Sequence, residues 1–433
     1  MIKVENLIVG AGFTGLLLAS RLPKAMLISP EVGGLIRNVN VNGFNFDFGG
    51  HVYTSSDERV VELMEKSGAT FFPNRKAYFI PEDFSSGIID YPVQNDAAKL
   101  GFKLKGEKSI KEPRNLAEYA MMIFGKSFYE GWFKPFNERV WTTDPVMMDF
   151  DWTDGRIKLP SEDGKNWGMN ASFFYAPGKR ILHTLTDNVS DDCDFLCGEL
   201  YSVNIEDKIA YFKNANANQF FSVEYESLFC TTDHFVKSFA PTNAVTSVGV
   251  GFEEKFPFDF HWVYAPLSSQ VHRVTLQSRY HPTNTISGDS LLMELPHLHG
   301  KVNVAVAAIQ SQSSSQDYRK ECARALLESA GFHDLPWGRM STVWSQTSMG
   351  YPIPTIGSRA MVAKKKARLL DYQVYLAGRW GNHLYANLQH LYQDVDSVIM
   401  QAGMTLPYNN YITSDRDAAP MPREPFLGDA HQC

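Results

Sequence analysis

The chain opens with the stretch Val4-Glu5-Asn6-Leu7-Ile8-Val9-Gly10-Ala11-Gly12-Phe13-Thr14-Gly15, in which a short apolar run leads directly into a glycine-rich turn. Residues 16–22 continue with the apolar spacing of a helix, and residues 25–28 form a second apolar run. A strand, a GxGxxG turn, a helix and a strand in immediate succession predict a βαβ unit that binds a dinucleotide. This stretch therefore indicates an α/β fold with a Rossmann-like domain.

Each glycine of the turn has its own physical role. Gly10 permits the tight turn, Gly12 lets a pyrophosphate approach the backbone, and Gly15 allows the helix to pack closely on the strand. The cofactor-binding candidates in this turn are Gly10, Gly12, Phe13, Thr14 and Gly15. Glu31 is the only carboxylate at the end of the second strand that is placed to hold a ribose. The motif alone separates neither NAD from FAD nor a binding turn from one without a ligand.

Two further glycine clusters favour a flavin. The first runs from Gly33, Gly34 and Leu35 to the turn Gly49-Gly50-His51, with a Phe-Asp-Phe strand between the two glycine pairs. The second is Gly378-Arg379, which follows a late apolar strand and precedes a helix. Glycines let the backbone pass close to a flat, phosphate-bearing ligand at several points. Unrelated turns are the alternative interpretation.

Composition limits the classes of partner. The chain has 433 residues and a net charge of −7, so no overall field draws it to nucleic acid or to an anionic membrane, although a modified nucleotide is not excluded as substrate. No apolar run is long enough to span a membrane. The start does not resemble a signal peptide, and five scattered cysteines predict reduced thiols. We therefore expect a cytoplasmic protein with a small-molecule substrate, no metal site, and helical insertions able to form a homo-oligomer.

The order of patterns along the chain predicts a discontinuous architecture. We expect an FAD-binding domain of the GR2 type, a helical insertion, an antiparallel β-sheet substrate domain and a tail. The predicted bounds are residues 1–88, about 186–240 and 345–405 for the first, about 89–150 for the second, about 151–185 and 241–344 for the third, and 406–433 for the tail. Among the predicted strands is Val302–Ala308.

Several motifs, in the same order, resemble the flavin amine-oxidase and UDP-galactopyranose mutase superfamily. After the glycine clusters come Tyr91-Pro92-Val93-Gln94-Asn95, which is similar to a YPxQN segment, and residues 133–141, which are similar to PYNxKVW. Residues 166–173 are similar to WGxNATF, residues 350–355 to GYPxPT, and residues 378–385 to GRxGxxxY. The resemblance covers about residues 4–400 and favours the mutases.

The resemblance implies FAD as cofactor and a reaction at flavin N5 on a pyrimidine-nucleotide-linked substrate, the pyranose/furanose isomerisation of a UDP-sugar. It also implies the site residues. Those nearest the chemistry are His51, Arg273, Tyr351 and Tyr385. Those bordering the nucleotide or sugar are Tyr91, Val93, Gln94, Trp167, Asn170, Tyr264 and Arg273. The resemblance also implies that Arg379 lies near the flavin.

One position departs from the family pattern. Phe174 stands where the mutases carry a second arginine for the diphosphate, and such a group needs charge-assisted partners. Lys179 or Arg180 are the nearby substitutes. The departure leaves open an FAD-dependent oxidoreductase or lyase acting on an amine, an amino-acid adduct or a modified pyrimidine nucleotide, and also a non-catalytic flavin-binding protein.

Overall fold

The structure is a computed structural model that describes residues 1–153, 157, 172–214 and 219–405. Trp167, Asn170 and the predicted tail 406–433 lie outside the described residues. The strands are β1 (Ile2–Ala11), β2 (Ala25–Val32), β3 (Asn38–Val41), β4 (Phe44–Asp47), β5 (Thr70–Phe72), β6 (Ala77–Phe79), β7 (Ile89–Asp90), β8 (Phe173–Tyr175), β9 (Asp194–Cys197), β10 (Glu199–Asn204), β11 (Ile209–Lys213), β12 (Phe220–Cys230), β13 (Thr242–Phe252), β14 (Trp262–Tyr264), β15 (Arg273–Thr275), β16 (Asp289–His297), β17 (Met340–Pro352) and β18 (Val374–Leu376).

Helices connect and cover these strands. They are α1 (Phe13–Ala19), α2 (Glu58–Lys66), α3 (Leu116–Phe124), α4 (Lys126–Phe128), α5 (Lys134–Trp141), α6 (Gly178–Thr186), α7 (Val304–Gln310), α8 (Gln316–Ser329), α9 (Ser358–Leu370), α10 (Gly378–Gly381) and α11 (Leu388–Gln401). A π-helical segment, Tyr129–Phe133, joins α4 to α5.

The first large sheet has the order β10-β11-β12-β1-β2-β9, with β18 also paired to β12. Strand β1 pairs in parallel with β12 and with β2, so Ile8 lies opposite Phe229 on one side and Leu27 on the other. These residues are fully buried, because helices cover both faces of the sheet. The β1-α1-β2 unit predicted from the opening stretch is therefore present in a doubly wound sheet.

The second large sheet has the order β17-β13-β16-β15-β14-β6-β7. It is antiparallel except between β14 and β6. Helices α7 and α8 contribute to the core on this sheet, which includes Val306 and Leu327. An aromatic core that holds Phe128 and Trp132 joins α3–α5 to β14.

One predicted element is wrong. Residues 302–308 do not form a strand, because they largely belong to helix α7. The side chain of Asn303 accepts hydrogen bonds from the backbone N–H groups of Ala305 (2.7 Å) and Val306 (3.3 Å), and so caps a helix of alanine and valine. This local cap outweighs the strand preference of the β-branched residues.

Within the described ranges, no helix combines the length and the apolar content needed to cross a membrane. Cys193, Cys230 and Cys322 are buried free thiols, and burial raises the pKa of the first two to about 12 and about 11. Cys197 is disulfide-bonded, which differs from the expectation of five reduced thiols.

Candidate active site

The β1–α1 turn contains glycines of two kinds. Gly10 has φ +96°, and a Cβ on it would lie 2.4 Å from the hydroxyl of Thr231. A Cβ on Gly15 would lie 1.8 Å from the carbonyl oxygen of Gly10. Gly12 differs, because its φ of −78° suits any residue and its Cβ would meet only the Cα of Gly34, at 4.0 Å. The packing of the protein does not require glycine at position 12, so the free space beside it fits a phosphate-bearing cofactor.

Segments far apart in sequence meet at this turn. The N–H of Gly33 donates to the carbonyl of Ala11 at 2.7 Å, which places the second glycine cluster against the first. From the far end of the chain, Gly378 has φ +79°, and a Cβ on it would lie 2.6 Å from the hydroxyl oxygen of Thr14. The N–H of Gly378 donates to Asp394 at 2.6 Å. The predicted glycine segments therefore form one cradle.

Two of the cofactor candidates have other contacts in this structure. Phe13 is buried and packs edge-on against Tyr392, with ring centroids 5.5 Å apart. Glu31 is largely exposed and forms an ion pair with Arg37. The backbone at Phe13 remains part of the cradle, whereas Glu31 is available to a ribose only from the protein surface.

A cleft of about 270 Å³ lies beside the cradle. Its lining residues come from the turn after β4, from β15–β17, and from α10 and the segment after it. Its lining includes the predicted Leu35, Gly49, Gly50, His51, Arg273, Tyr351, Arg379 and Tyr385, together with Glu294, which no sequence motif indicated. Arg379 also donates to the carbonyl of Ala386 at 2.8 Å.

Arg273 and Glu294 form an ion pair inside this cleft. They face each other across β15 and β16, and their side chains are only 15% and 7% exposed. Arg273 also donates to the carbonyl of Gly50 at 3.0 Å. Its pKa is held well above the ordinary range, because the neighbouring Glu294 carboxylate outweighs the effect of burial. The charge of Arg273 is thus already partnered before any substrate arrives.

The ion pair also explains one of the glycines. A Cβ on Gly50 would lie 2.6 Å from Nη2 of Arg273 and 3.0 Å from Oε2 of Glu294. The glycine pattern of the sequence predicts close passage of a cofactor at Gly50. In the structure, its missing side chain makes room for the Arg273–Glu294 pair.

His51 is the cleft residue at the end of the glycine turn. Burial lowers its pKa to about 4, and the positive charges of Arg379 and Arg273 act in the same direction against the opposing Glu294. Its Nδ1 lies 3.8 Å from a carboxylate oxygen of Asp47, which is completely buried. The imidazole is therefore neutral at physiological pH.

An aromatic wall closes one side of the cleft. The rings of Tyr351 and Tyr385 lie 5.8 Å apart at a steep angle, and Trp141 contacts them at 5.6 and 5.1 Å. Trp141 ends helix α5, so the helical insertion supports this wall from behind. Burial raises the pKa of Tyr351, which keeps its hydroxyl protonated as a hydrogen-bond donor.

The cleft lining does not include the residues implied for the pyrimidine, Tyr91, Val93 and Gln94, or Tyr264, which is implied for the diphosphate. Tyr91 and Tyr264 lie 4.3 Å apart between ring centroids, and both contact Phe136. Val93 is fully buried in the same core, so it presents no surface to a ligand in this structure. Gln94 is partly exposed at the start of a short 3-10 helix.

Phe174 and its suggested substitutes lie outside the cleft lining. Phe174 packs against Phe71 at 5.0 Å, and its backbone pairs with that of Tyr53. The backbone N–H of Lys179 donates to Asn38, and Arg180 lies beside Gly68. Neither cation is among the residues that line the cleft, so neither replaces the missing arginine in this structure.

Sequence reasoning missed two acidic residues of the site. Asp47 lies within the quoted Phe-Asp-Phe strand, and Glu294 interrupts the apolar run Leu291–Leu295. A charged residue inside an otherwise buried strand is the signal that could have identified both, because such a residue needs a partner.

Comparison with known sequences agrees with the opening motif. The NAD(P)-binding Rossmann-like domain family matches residues 8–67. A probable UDP-galactopyranose mutase of Klebsiella pneumoniae is 26% identical over 164 residues, which span 33% of this chain and 42% of that protein. An uncharacterized protein from the nifH2 3′ region of Methanothermococcus thermolithotrophicus is 32% identical over 80 residues, 17% of this chain and 78% of that protein. The chain belongs to one family with this uncharacterized protein.

Comparison with solved structures extends over almost the whole chain. Reduced UDP-galactopyranose mutase superposes with a TM-score of 0.76 at 20% identity and covers 93% of this chain and 94% of its own. The chain has the fold of a mutase-like flavoprotein. Cyclohexylamine oxidase of Brevibacterium oxydans shares this fold at a TM-score of 0.58 and 12% identity, with 92% and 99% covered. The prediction of the fold class is confirmed, and both comparisons agree with the predicted resemblance to UDP-galactopyranose mutase.

Proposed function

We propose that the chain is an FAD-dependent isomerase that interconverts the pyranose and furanose forms of a UDP-linked sugar. The observation that carries the proposal is the cleft itself, which brings His51, Arg273, Tyr351, Tyr385 and Arg379 together beside the glycine cradle. These residues come from distant parts of the chain and match the motif order of the mutases. The Klebsiella relative named for this activity supports the same reaction.

The chain's own residues have defined roles in this proposal. Gly12, Gly34 and Gly378 would hold the dinucleotide, and Arg379 would lie near its flavin. When bound and reduced, FAD would supply an electron-rich N5 to the anomeric carbon. Arg273 attracts the diphosphate, while the aromatic wall excludes water and its hydroxyls donate hydrogen bonds.

Conversion of UDP-galactopyranose tests the proposal. We expect purified protein loaded with FAD to form the furanose product after dithionite reduction and not in the air-oxidised state. Tyr385→Phe should reduce turnover, whereas Tyr201→Phe, which alters an exposed tyrosine far from the cleft lining, should leave it unchanged. A reduced, FAD-loaded wild type without product would contradict the isomerase.

A second candidate is an FAD-dependent oxidoreductase acting on an amine. The Arg273–Glu294 pair favours it, because a diphosphate must compete with Glu294 for Arg273 and Phe174 supplies no second charge. A carboxylate beside two tyrosines also suits a cationic substrate. In this case, amine consumption should release hydrogen peroxide in air.

Glu294→Gln separates the two candidates. Removing the competing negative charge should strengthen UDP binding about tenfold, or about 1.4 kcal/mol, if the substrate is a nucleotide diphosphate. The same change should weaken binding of a cationic amine. Calorimetry of FAD-loaded protein measures both, with Glu328→Gln at the exposed pair of helix α8 as the matched control.

A further inference from the structure

Helix α9 differs from the rest of the chain in its charge. Its 13 residues read SRAMVAKKKARLL and contain five cations and no carboxylate, whereas the whole chain has a net charge of −7. The residues of this helix that are buried are Ser358, Val362 and Leu369. Most of the helix therefore faces solvent, and its positive charge lies at the surface.

One side of this helix forms a basic face, which consists of Met361, Lys364, Lys365 and Arg368. These positions are three or four residues apart, the spacing that brings side chains to the same side of a helix. Among the described residues, the ion pair of α9 is that of Arg359 with Asp151, and Arg359 lies outside the basic face. The three cations of the basic face thus have no carboxylate partner in the described part of the chain.

The loop after β12 extends the basic face. Nζ of Lys365 lies 5.8 Å from the ring centroid of Phe235 in this loop. Burial lowers the pKa of the neighbouring His234, and the charges of Lys237 and Lys365 act in the same direction against the opposing Asp233. Lys237 is exposed. A further cation from a different element therefore lies close to the basic face.

An exposed apolar group lies at the start of the helix. It consists of Met147, Ile356 and Met361, which are 59%, 55% and 50% exposed. The N–H of Ile356 donates to the carbonyl of Met147 at 3.1 Å, and Ile356 precedes the first residue of the helix by two positions. Neighbouring apolar side chains that stay exposed are typical of an interaction site, whereas single ones are common on any surface.

The combination of charge, apolar side chains and shape selects one kind of partner. The partner must be anionic, it must accept apolar side chains, and it must fit an exposed helix, which is convex. Nucleic acid offers phosphates but no apolar surface for the methionines and the isoleucine. A bilayer with anionic lipids meets all three conditions, because its headgroups attract lysine and arginine while apolar side chains enter the boundary of the acyl chains. Charges more than about 8 Å away are largely screened at physiological ionic strength, so these local cations outweigh the negative net charge.

We propose that the basic face of α9, together with Lys237 and the apolar group, docks the protein on the surface of a bilayer that contains anionic lipids. The lysine and arginine side chains contact the headgroups, and Met361 lies between them and the apolar group. None of these residues lines the cleft, so the inference is independent of the proposed reaction.

Co-sedimentation of the FAD-loaded protein with lipid vesicles tests this docking surface. We expect the wild type to bind vesicles of phosphatidylcholine with phosphatidylglycerol, to release them at high salt, and to ignore vesicles of phosphatidylcholine alone. Replacing all three cations of the basic face by glutamine should lower the partition constant at least about tenfold. Should this triple variant fail to fold, Lys364→Gln with Arg368→Gln alters two exposed residues and gives the same test.

Two further variants separate a bilayer from other anionic partners. Lys103→Gln, Lys105→Gln and Lys108→Gln together remove the same charge from a segment in which no large apolar residue between positions 103 and 108 is exposed, and this variant should bind like the wild type. Met361→Gln leaves the charge unchanged and should lower the partition constant at least about fivefold, because a buried methionine side chain is lost from the contact.

Several results would overturn the proposal. They are equal binding to both kinds of vesicle, equal losses in the two triple variants, or unchanged binding in Met361→Gln. Binding of polyuridylate in place of vesicles would identify a nucleic-acid surface instead. Conversion of UDP-galactopyranose without vesicles should be the same in the wild type and in both triple variants, so a failure of docking is distinct from a failure of the proposed function.

Discussion

At the scale of single residues, Arg273 and Glu294 form a largely buried ion pair in the cleft. Truncating one partner leaves the other charge buried and unpaired, which typically costs about 3–5 kcal/mol. We expect Arg273→Ala to lower the free energy of unfolding of the cofactor-free protein by about this amount, measured by urea denaturation.

The exposed pair Arg324–Glu328 of helix α8 provides the control. These side chains are 51% and 34% exposed, and pairs of this kind contribute about 0.2–1 kcal/mol. Arg324→Ala should therefore change stability far less than Arg273→Ala. Equal losses in the two variants would show that the cleft pair is not a buried ion pair in solution.

At the scale of elements, the β1–α1 turn allows packing to be separated from ligand binding. Gly15→Ala forces a Cβ into the carbonyl of Gly10, so we expect severe loss of stability. Gly12→Ala meets no such obstacle and should leave the unfolding free energy of the cofactor-free protein within about 0.5 kcal/mol. The added Cβ would occupy the free space beside Gly12 that fits the cofactor phosphate. We therefore expect calorimetry to show that the affinity for FAD is at least about tenfold lower in Gly12→Ala than in the wild type. Normal FAD affinity in Gly12→Ala would remove this turn from the cofactor site.

Elements with a local signal could be predicted from the sequence, and contacts between distant residues could not. The strand, helix and strand of the opening βαβ unit are present as their local patterns predict, whereas residues 302–308 were predicted to form a strand because the Asn303 cap was overlooked. The glycine motifs predict the cradle because glycine marks positions where the backbone turns tightly or passes close to a ligand. Glu294 and Asp47 escaped notice because their partners, Arg273 and Gln277, are brought to them only by the folding of the second sheet.

At the scale of the whole molecule, the cleft depends on contacts that join three parts of the chain. The first sheet supplies the cradle, the second supplies Arg273 and Glu294, and the helical insertion supports the aromatic wall. Isolated backbone pairs, such as Tyr53 with Phe174 and Met148 with Thr355, link these parts. Every one of these parts contributes to the same cleft. The predicted domain boundaries stay a prediction.

Trp141 tests whether the insertion supports the site. Its ring is 3% exposed and touches Tyr351, Tyr385 and Trp152. Trp141→Ala should cost about 3–5 kcal/mol of stability and leave a gap behind the wall. We expect iodide to quench the fluorescence of bound FAD more strongly in this variant. Trp337→Ala removes a tryptophan from the core on the second large sheet and should lower stability without changing the quenching. Equal quenching in the wild type, Trp141→Ala and Trp337→Ala would contradict a supporting role for the insertion.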